Sequence, residues 1–434
     1  MKTGKLKIID AGNIPRRGEQ IYDTETLNKV RVILDDIKTN GESAVRAYAE
    51  TFGDIGVGQE LFIPQTDLKV AFDGLPAGDK DVLQRVASRI RAFAEAQKAS
   101  LKSLSVPIAG GHAGHDILPV ETAGCYAPGG RFPLPSSVLM TAIPARVAGV
   151  KNVIVASPKP TKHTLAAAYL AGADGVLCIG GAQAIGALAY GINGFPPADM
   201  PADMIVGPGS RWVTAAKQII SGSIGIDMLA GPSELMIVAD ESANPKTIAA
   251  DLLAQAEHDP DALPVLISLS KDLINRVNTE LDIGLSALPD DNRATAEPAL
   301  SNGYAVYVEN LDIAIKIANT HAPEHLELLL KNAKDVAHHF KECGGLFIGN
   351  LAAEVIGDYG AGPNHTLPTG GTARHKGGLS VFNFLRIRTW IHIEDQAAAQ
   401  NLYTDAASLG RIEGLEGHAR SAEARLSDNI DSGK

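Results

Sequence analysis

Short apolar runs alternate with helical patterns from about residue 120 to residue 378. Runs typical of buried strands stand at 153–156, 176–179, 204–206, 235–238, 264–268, 305–308 and 346–348. Most of them are followed, after a turn, by apolar residues at helical spacing. Short apolar strands that alternate with helices indicate parallel sheets covered by helices on both faces. The pattern therefore predicts an α/β fold with two parallel-sheet modules.

The flanking segments depart from this pattern. Residues 25–50 and 79–104 show helical periodicity, whereas residues 387–393 alternate like a strand before a helical tail. A terminal helix after a lone strand often packs as an arm on another subunit. The four predicted parts are an N-terminal arm (1–24), a first domain (25–120 with 232–378), a second domain (121–231) and a C-terminal arm (379–434).

Composition narrows the range of functions. The chain of 434 residues carries a formal net charge of −11, which argues against binding of nucleic acid through an overall positive field. Its three cysteines, Cys125, Cys178 and Cys343, are too widely spaced for a redox or zinc motif and fit a reducing compartment. The sequence shows neither a secretory signal nor a membrane span, so we expect a cytoplasmic protein.

Two strand-to-helix turns are rich in glycine, at 180–183 and 207–210. Small residues at such a turn allow a ligand to approach the backbone N–H groups at the start of a helix. Close packing between strand and helix explains the same residues equally well. Neither turn has the Gly-x-Gly-x-x-Gly spacing of a dinucleotide fingerprint, so the pattern alone does not indicate a nucleotide cofactor.

Gln255 and His258 end a predicted helix that begins at Asn244-Pro245, a capping residue followed by a favourable first residue. The two stand at i and i+3 and therefore project from one face of a helix. An amide oxygen and an imidazole side by side can form half of a metal site. A solvated helix end is the alternative, and these residues alone leave both open.

Two further segments hold polar residues suited to chemistry. Glu324 and His325 follow a proline, and the positive end of a helix starting there would favour neutral His325 and ionised Glu324, as a proton acceptor requires. Residues 356–371 form a long glycine-rich loop that contains Asp358, and such loops are commonly functional. The alternative for Glu324 and His325 is that they are polar residues at a helix end with no chemical role. His418 in the tail is by itself more typical of a surface residue.

Together these segments resemble the histidinol dehydrogenase family, in the family's order and over nearly the whole chain after residue 25. The matching motifs are Tyr-Ala-Pro-Gly-Gly at 126–130, Pro-Ser-Ser-Val-Leu-Met at 135–140, Gly-Gly-Ala-Gln-Ala at 180–184, Ile-Asp-Met-Leu-Ala-Gly-Pro-Ser-Glu at 226–234, Gln-Ala-Glu-His-Asp at 255–259, Pro-Glu-His-Leu at 323–326, Gly-Asp-Tyr at 357–359 and Asn-His-Thr-Leu-Pro-Thr at 364–369. So many separate matches in one order are highly specific.

The resemblance implies two incomplete Rossmann-like domains, small arm domains at both ends and a domain-swapped homodimer. It implies a zinc- and NAD-dependent enzyme of histidine biosynthesis that oxidises L-histidinol to L-histidinaldehyde and then to L-histidine, with two NAD. The residues that match the family's zinc ligands are Gln255, His258, Asp358 and His418, the last supplied by the other subunit. This mixed nitrogen and oxygen set suits Zn²⁺, which in the family mainly holds the substrate.

The resemblance also assigns roles to single residues. His325 matches the base that takes the hydroxyl proton, and Glu324 matches the residue that activates water for the second oxidation. The positions that match substrate contacts are Ser233, Gln255, His258, His325, Asp358, Glu413 and His418. The positions that match NAD contacts are Tyr126, Gln183 and Ser210.

Ser210 is the clear departure from the family's motifs, because the usual turn is Gly-Pro-Gly-Asn and serine stands here in place of asparagine. A shorter hydroxyl would bond through water or reach a different atom. The segment 193–204 is also longer than usual. Both differences bear on the geometry of NAD binding rather than on the chemistry at zinc.

Three other functions fit parts of the sequence. A paralogue with the same zinc and NAD apparatus could oxidise another small alcohol, such as a sulfonated propanediol, although Ser233 and Glu413 favour an amino alcohol. A zinc hydrolase could use Glu324 beside His325 to activate water, but hydrolysis has no need of the glycine turns. A catalytically inactive binding protein is disfavoured, because every polar position of the site holds a competent residue.

Overall fold

The computed structural model describes residues 4–14, 24–129 and 133–426. The strands are β1 (Lys7–Ile9), β2 (Phe62–Pro64), β3 (Leu104–Ile108), β4 (Gly111–Pro119), β5 (Thr122–Tyr126), β6 (Asn152–Ala156), β7 (Gly175–Leu177), β8 (Met204–Val206), β9 (Gly225–Ile226), β10 (Glu234–Ala239), β11 (Leu263–Ser268), β12 (Tyr304–Tyr307), β13 (His325–Leu329), β14 (Gly345–Ile348) and β15 (Leu385–Ile393). The α-helices are α1 (Thr24–Asn40), α2 (Glu42–Thr51), α3 (Gln65–Asp73), α4 (Ala77–Ala99), α5 (Pro135–Ala148), α6 (Lys162–Ala171), α7 (Gly181–Tyr190), α8 (Arg211–Ile220), α9 (Pro245–Ala256), α10 (Lys271–Ala287), α11 (Asp290–Asn302), α12 (Leu311–His321), α13 (Ala333–Val336), α14 (Glu354–Asp358), α15 (Gln400–Ile412) and α16 (Glu416–Glu423). Gly130 of the first motif, residues 1–3 and 15–23 of the predicted N-terminal arm, and residues 427–434 of the C-terminal arm lie outside the described residues.

The predicted α/β fold with parallel sheets is confirmed. The strands predicted from apolar runs are present as β6, β7, β8, β10, β11, β12 and β14. They lie in two six-stranded sheets within one compact unit, Met1–Ala96 with Val120–Phe384. Two strands inside these sheets, β5 and β13, escape prediction from the pattern. Threonine and glycine interrupt the apolar run of β5, and histidine and glutamate interrupt that of β13.

The first sheet has the strand order β2-β7-β6-β5-β8-β9, and its neighbours are parallel except for β2 with β7. Helices α1, α2, α7 and α8 pack against one another as one group, and α3, α5 and α6 form another. The prediction that residues 25–120 belong with the second sheet is therefore wrong for β2 and for helices α1 to α3.

The packing of α1 on α7 explains this difference. α1 buries Val30, Leu34 and Ile37 along one side, as its helical pattern predicts. Gly186 of α7 provides the space for two of them, since a Cβ atom there would lie 2.9 Å from Ile37 Cδ1 and 3.1 Å from Leu34 Cδ2. Such a fit depends on the shape of the partner helix, which periodicity does not reveal.

The second sheet has the order β1-β12-β11-β10-β13-β14, and all its neighbours are parallel. One hydrophobic core includes residues of α9, α10 and α11, and another includes residues of α12 and α13. β1 pairs with β12, so this part of the predicted N-terminal arm is an edge strand of the sheet. Helix α4 contacts segments associated with both sheets. Arg91 Nη2 donates to the Leu170 carbonyl oxygen of α6 at 3.1 Å, and Arg89 Nε donates to the Gly360 carbonyl oxygen in the loop after α14 at 2.7 Å.

The second compact unit consists of Gln97–Pro119 and Leu385–Lys434. Strands β3, β4 and β15 form an antiparallel sheet, and α15 packs on α16. The predicted strand at 387–393 and the helical tail are thus confirmed. The helix predicted to run to residue 104 ends at Ala99, and residues 97–119 belong to this unit rather than to the first domain. Among the described residues, no helix is long and apolar enough to span a membrane.

Candidate functional site

Three side chains with metal-binding atoms converge beside the second sheet. His258 follows the end of α9, and Glu354 and Asp358 are the first and last residues of α14. Their ligand atoms all lie within 4.8 Å of one another, and His258 Nε2 is 3.6 Å from Asp358 Oδ2. Imidazole and carboxylate groups at this spacing can hold a divalent cation. Glu354 is a member of the group that the motifs do not single out.

Gln255 has the buried and unpartnered side chain expected of a metal ligand. It lies in the last turn of α9, it is fully buried, and neither Oε1 nor Nε2 has a hydrogen-bond partner among the described residues. An unsatisfied buried amide is costly, and a ligand atom would satisfy it. α9 ends at Ala256, so His258 lies beyond the helix, although its N–H still bonds the Gln255 carbonyl at 3.4 Å. These donors fit the zinc ion that the family resemblance implies.

His325 is the imidazole beside this group. Its Nε2 is 3.9 Å from Asp358 Oδ1, and its Nδ1 is 3.0 Å from the carbonyl oxygen of Glu234. Because a carbonyl oxygen only accepts, Nδ1 carries the proton and Nε2 keeps the lone pair. Nε2 is buried and has no hydrogen-bond partner among the described residues. This atom is therefore placed to accept a proton.

Burial, rather than a helix end, keeps His325 neutral. The prediction that Glu324 and His325 start a helix is wrong, because they follow the C-terminus of α12 and His325 opens the buried strand β13. Loss of hydration lowers the pKa of His325 to about 4, although the nearby Asp358 carboxylate opposes the shift. The imidazole is therefore neutral at pH 7.

Glu324 is buried next to His325, and the backbone of β10 holds both side chains. Glu324 Oε2 accepts the Glu234 N–H at 2.9 Å and lies 3.7 Å from His325 Nδ1. The same residue, Glu234, offers its carbonyl oxygen to His325. One peptide segment therefore sets the positions of the two residues that match the family's acid–base pair.

Buried carboxyl groups adjoin the candidate ligands. Glu327 Oε1 accepts the Glu354 N–H at 2.7 Å, and Glu327 also shares a hydrogen bond with Asp251. Burial raises the pKa of Glu327 to about 8 and that of Asp251 to about 6, and it raises the pKa of Glu354 well above its usual range. Sequence analysis misses this cluster, although its spacing carries a signal. Asp251 precedes Gln255 by one helical turn, and Glu354 precedes Asp358 by one.

The glycine-rich loop at 356–371 contains Asp358 and contacts a helix of the first sheet. His365 Nδ1 is 3.1 Å from the Asp358 carbonyl oxygen, and its Nε2 is 3.5 Å from Ser137 Oγ on α5. Asn364 Nδ2 donates to the Met140 carbonyl oxygen, also on α5, at 2.6 Å. The loop therefore brings residues of both sheets to one site, and it adds His365 and Ser137, which belong to motifs but have no predicted role.

Tyr126 and Gln183 meet at the glycine turn that begins α7. The Tyr126 hydroxyl accepts the Gly181 N–H at 3.3 Å, and Gln183 Nε2 donates to Asp54 Oδ2 at 2.8 Å. Gly181 has a φ of +61°, and a Cβ atom there would lie 2.8 Å from Gln183 Oε1. The turn therefore requires glycine. The structure thus brings two of the three predicted NAD-contacting residues together.

Ser210, the third of these residues, is the N-cap of α8, and its exposed side chain makes no capping hydrogen bond. The turn before it is held by a buried ion pair of Lys217 with Asp227. Asp227 Oδ2 accepts the Gly207 N–H at 2.7 Å, and Lys217 Nζ donates to the Gly207 carbonyl oxygen at 3.0 Å. A Cβ atom at Gly207 would overlap the Tyr126 carbonyl oxygen. Ser210 therefore follows a rigid turn packed against the end of β5.

The remaining predicted site residues are dispersed. Ser233 is half-buried directly before β10, where its carbonyl oxygen accepts the Leu263 N–H at 3.0 Å. Glu413 follows α15 as its C-cap and His418 lies on α16, and both are exposed within the second compact unit. The roles assigned to Glu413 and His418 in a site shared between subunits stay predictions.

Comparison with known proteins supports the family that the motifs predict. The sequence model of the family described as histidinol dehydrogenase matches residues 16–426. The chain is 43% identical to the histidinol dehydrogenase of Thermus thermophilus, over 94% of this chain and 97% of that protein. The corresponding protein of Aquifex aeolicus is 38% identical over 96% of both. A crystal structure of histidinol dehydrogenase from Elizabethkingia anophelis covers 99% of both chains with a TM-score of 0.90 and 30% identity.

A buried imidazole with a free lone pair lies beside a group of metal-binding side chains, and the sequence matches extend over almost the entire chain. The solved histidinol dehydrogenase structure shares the fold of this chain over nearly its whole length. The chain belongs to the histidinol dehydrogenase family.

Proposed function

We propose that the protein oxidises L-histidinol to L-histidine through L-histidinaldehyde, with two NAD and one zinc ion per subunit. The observation that carries this proposal is His325 Nε2, a buried proton acceptor that lies 3.9 Å from Asp358 Oδ1 and has no hydrogen-bond partner among the described residues. An alcohol oxidation needs such an acceptor, because a proton must leave the hydroxyl as hydride leaves the carbon.

Zinc would be held by Gln255, His258 and Asp358 of one subunit and by His418 of the other. NAD would contact Tyr126, Gln183 and Ser210. When bound, the zinc ion would orient the substrate through its nitrogen atoms, and NAD would accept the hydride. The unpartnered amide of Gln255 supports this assignment, as does the close approach of His258 to Asp358.

In the first oxidation, His325 Nε2 accepts the hydroxyl proton of the alcohol while the carbon loses a hydride. The C–H and O–H bonds break, and the C=O bond of the aldehyde forms. Neutral His325 is competent for this step at pH 7, because burial lowers its pKa to about 4. Its Nδ1–H bond to the Glu234 carbonyl oxygen holds the ring in the required tautomer.

In the second oxidation, water must add to the aldehyde before another hydride can leave. Glu324 takes a proton from that water as the water oxygen bonds to the carbonyl carbon, and His325 gives the proton from the first oxidation to the carbonyl oxygen, so that a geminal diol forms and His325 is neutral again. His325 then accepts a hydroxyl proton of the diol as the second hydride departs, leaving the carboxylic acid. The contact of Glu324 Oε2 with the Glu234 N–H holds this carboxylate one residue from the base.

Ser233 and Glu413 would select the amino alcohol, with the Glu413 carboxylate pairing with the substrate ammonium group. Glu413 and His418 lie in the second compact unit, and we propose that this unit serves as the arm exchanged in a homodimer. Each subunit would thus complete the site of its partner.

The decisive experiment is NADH stoichiometry on L-histidinol with purified, zinc-loaded protein. Two NADH per substrate, with L-histidine as the product, would support the proposed reaction. One NADH with accumulating aldehyde would contradict the role of Glu324. Absence of NADH from L-histidinol, with NADH formed from a sulfonated propanediol, would assign the chain to a paralogous activity.

A further inference from the structure

Asp54 contacts the glycine turn at 180–183, although more than a hundred residues separate them in the sequence. It stands between α2 and β2 and is half-buried. Its Oδ2 accepts the Gly180 N–H at 2.9 Å and the Gln183 Nε2–H at 2.8 Å. No motif of the sequence includes this residue. Its carboxylate nevertheless touches both the turn that begins α7 and a residue proposed to contact NAD.

Two N–H groups at the start of α7, those of the N-cap Gly180 and of Gly181, are therefore occupied by the protein itself. Asp54 takes the N–H of Gly180, and the Tyr126 hydroxyl takes that of Gly181. In a Rossmann dinucleotide site, such N–H groups and the positive helix end bind the pyrophosphate. A carboxylate at this helix end already offsets that positive charge and would repel a second anion. These contacts and the charge of Asp54 therefore disfavour a phosphate group at the start of α7.

Asp54 also sets the orientation of the Gln183 amide. A carboxylate can only accept, so the amide nitrogen must face Asp54 and the oxygen must face away. Gln183 is 3% exposed, and its Oε1 lies 2.8 Å from the position that a Cβ atom on Gly181 would take. The side chain is therefore confined between Asp54 and Gly181. The amide is therefore held in a single orientation at the turn whose Gly181 N–H bonds the Tyr126 hydroxyl.

We propose that Asp54 is a positioning residue of the dinucleotide site, which fixes the Gln183 amide and keeps the phosphates away from the start of α7. The group that docks against Tyr126 and Gln183 is then an uncharged part of the cofactor, a nucleobase or a ribose. An aromatic residue and an oriented amide at one turn suit such a group, through stacking and a hydrogen bond. This inference rests on the proposed use of NAD.

The test compares Asp54→Ala and Asp54→Asn with Asp240→Ala as the matched control. Asp240 is also half-buried and accepts two backbone N–H groups, those of Ser242 and Lys331, each at 2.9 Å. Asp240 follows β10 at its carboxyl end, whereas the catalytic residues adjoin the amino end of that strand. Its replacement should leave NAD affinity unchanged and reports any general effect of losing such a carboxylate.

Asp54→Ala should raise the KM for NAD about tenfold, because a buried amide loses its orienting partner. Its kcat should stay within about twofold of wild type, because the proton chemistry lies at the other sheet. Asp54→Asn keeps an acceptor for both donors and should restore the KM to within about threefold of wild type. A double replacement with Gln183→Ala should add little to the effect of Gln183→Ala alone.

Direct calorimetry of NAD binding to the same zinc-loaded proteins separates this inference from the proposed reaction. If wild type forms no NADH from L-histidinol, yet binds NAD about tenfold more tightly than Asp54→Ala, the reaction is wrong and the role of Asp54 stands. An unchanged NAD affinity in Asp54→Ala would overturn the inference. Full additivity of the Asp54 and Gln183 replacements would overturn it as well.

Discussion

The two large sheets of the protein use opposite edges for their polar residues. In the first sheet, Tyr126, Gly180 and Gly207 stand at the carboxyl ends of β5, β7 and β8, where ligands of parallel sheets usually bind. In the second sheet, Glu234 and His325 stand at the amino ends of β10 and β13. The physical reason is that helices begin at one of these edges and end at the other.

Helices begin at the carboxyl edge of a parallel sheet and end at its amino edge. α7 and α8 begin beside the glycine turns, whereas α9 ends at Gln255-Ala256 and α14 ends at Asp358. The negative ends of helices favour cations, and the positive ends favour anions or acceptors. The helix C-termini at the second sheet therefore favour a cation there. At the first sheet, the Asp54 carboxylate already accepts the N–H of Gly180 at the start of α7.

The largest expected effect tests whether the second sheet's edge carries the proton chemistry. His325→Asn should lower kcat for both oxidations about 10³-fold, because Nε2 is the proton acceptor. Zinc content, measured by elemental analysis, should stay at the wild-type level. His163→Asn, a change at an exposed histidine paired with Asp79, is the control and should leave both quantities unchanged. Loss of zinc in His325→Asn would instead make His325 a ligand.

A smaller effect is expected at Glu354, whose carboxylate lies within 4.8 Å of the ligand atoms of His258 and Asp358. Glu354→Gln removes a carboxyl group that would lose its proton when a metal ion binds, and it should weaken zinc affinity about 10–100-fold, as measured by competition with a chelator. The KM for NAD should not change, because the residues proposed to contact NAD belong to the first sheet. Equal losses of zinc and NAD affinity would show that the two edges do not act separately.

The smallest expected effect concerns pH and stability of the zinc-free protein. Burial raises the pKa of Glu327 from 4.5 to about 8, so the folded state binds this proton more tightly than the unfolded state. The contribution of protonated Glu327 to the free energy of unfolding is fully present below about pH 4.5, and it is lost as pH rises through about 8. Glu327→Gln should therefore stabilise the protein at pH 8.5 by about 1–2 kcal/mol and flatten this dependence, in denaturant unfolding from pH 6 to 9. A variant less stable than wild type at pH 8.5 would contradict a protonated Glu327.

Much of the fold could be predicted because apolar runs and helical periods are local. The strands at 153–156 and 204–206 needed no knowledge of their neighbours. β5 and β13 could not be found in this way, since polar and small residues break their apolar runs. In β13 these polar residues are His325 and Glu327, which contact Asp358 and Glu354. The partner of α1 could not be found either, because it depends on the space above Gly186.

For the site, the sequence by itself determined which side chains can bind a metal and exchange protons, since Gln255, His258, His325 and Asp358 belong to ordered motifs. Only the tertiary structure decided that His325 is neutral through burial in a strand. It also brought Glu354 close to His258 and Asp358 and placed Asp54 at the glycine turn that begins α7. Residue type is a local property, whereas burial and contacts between distant segments arise only when the chain is folded.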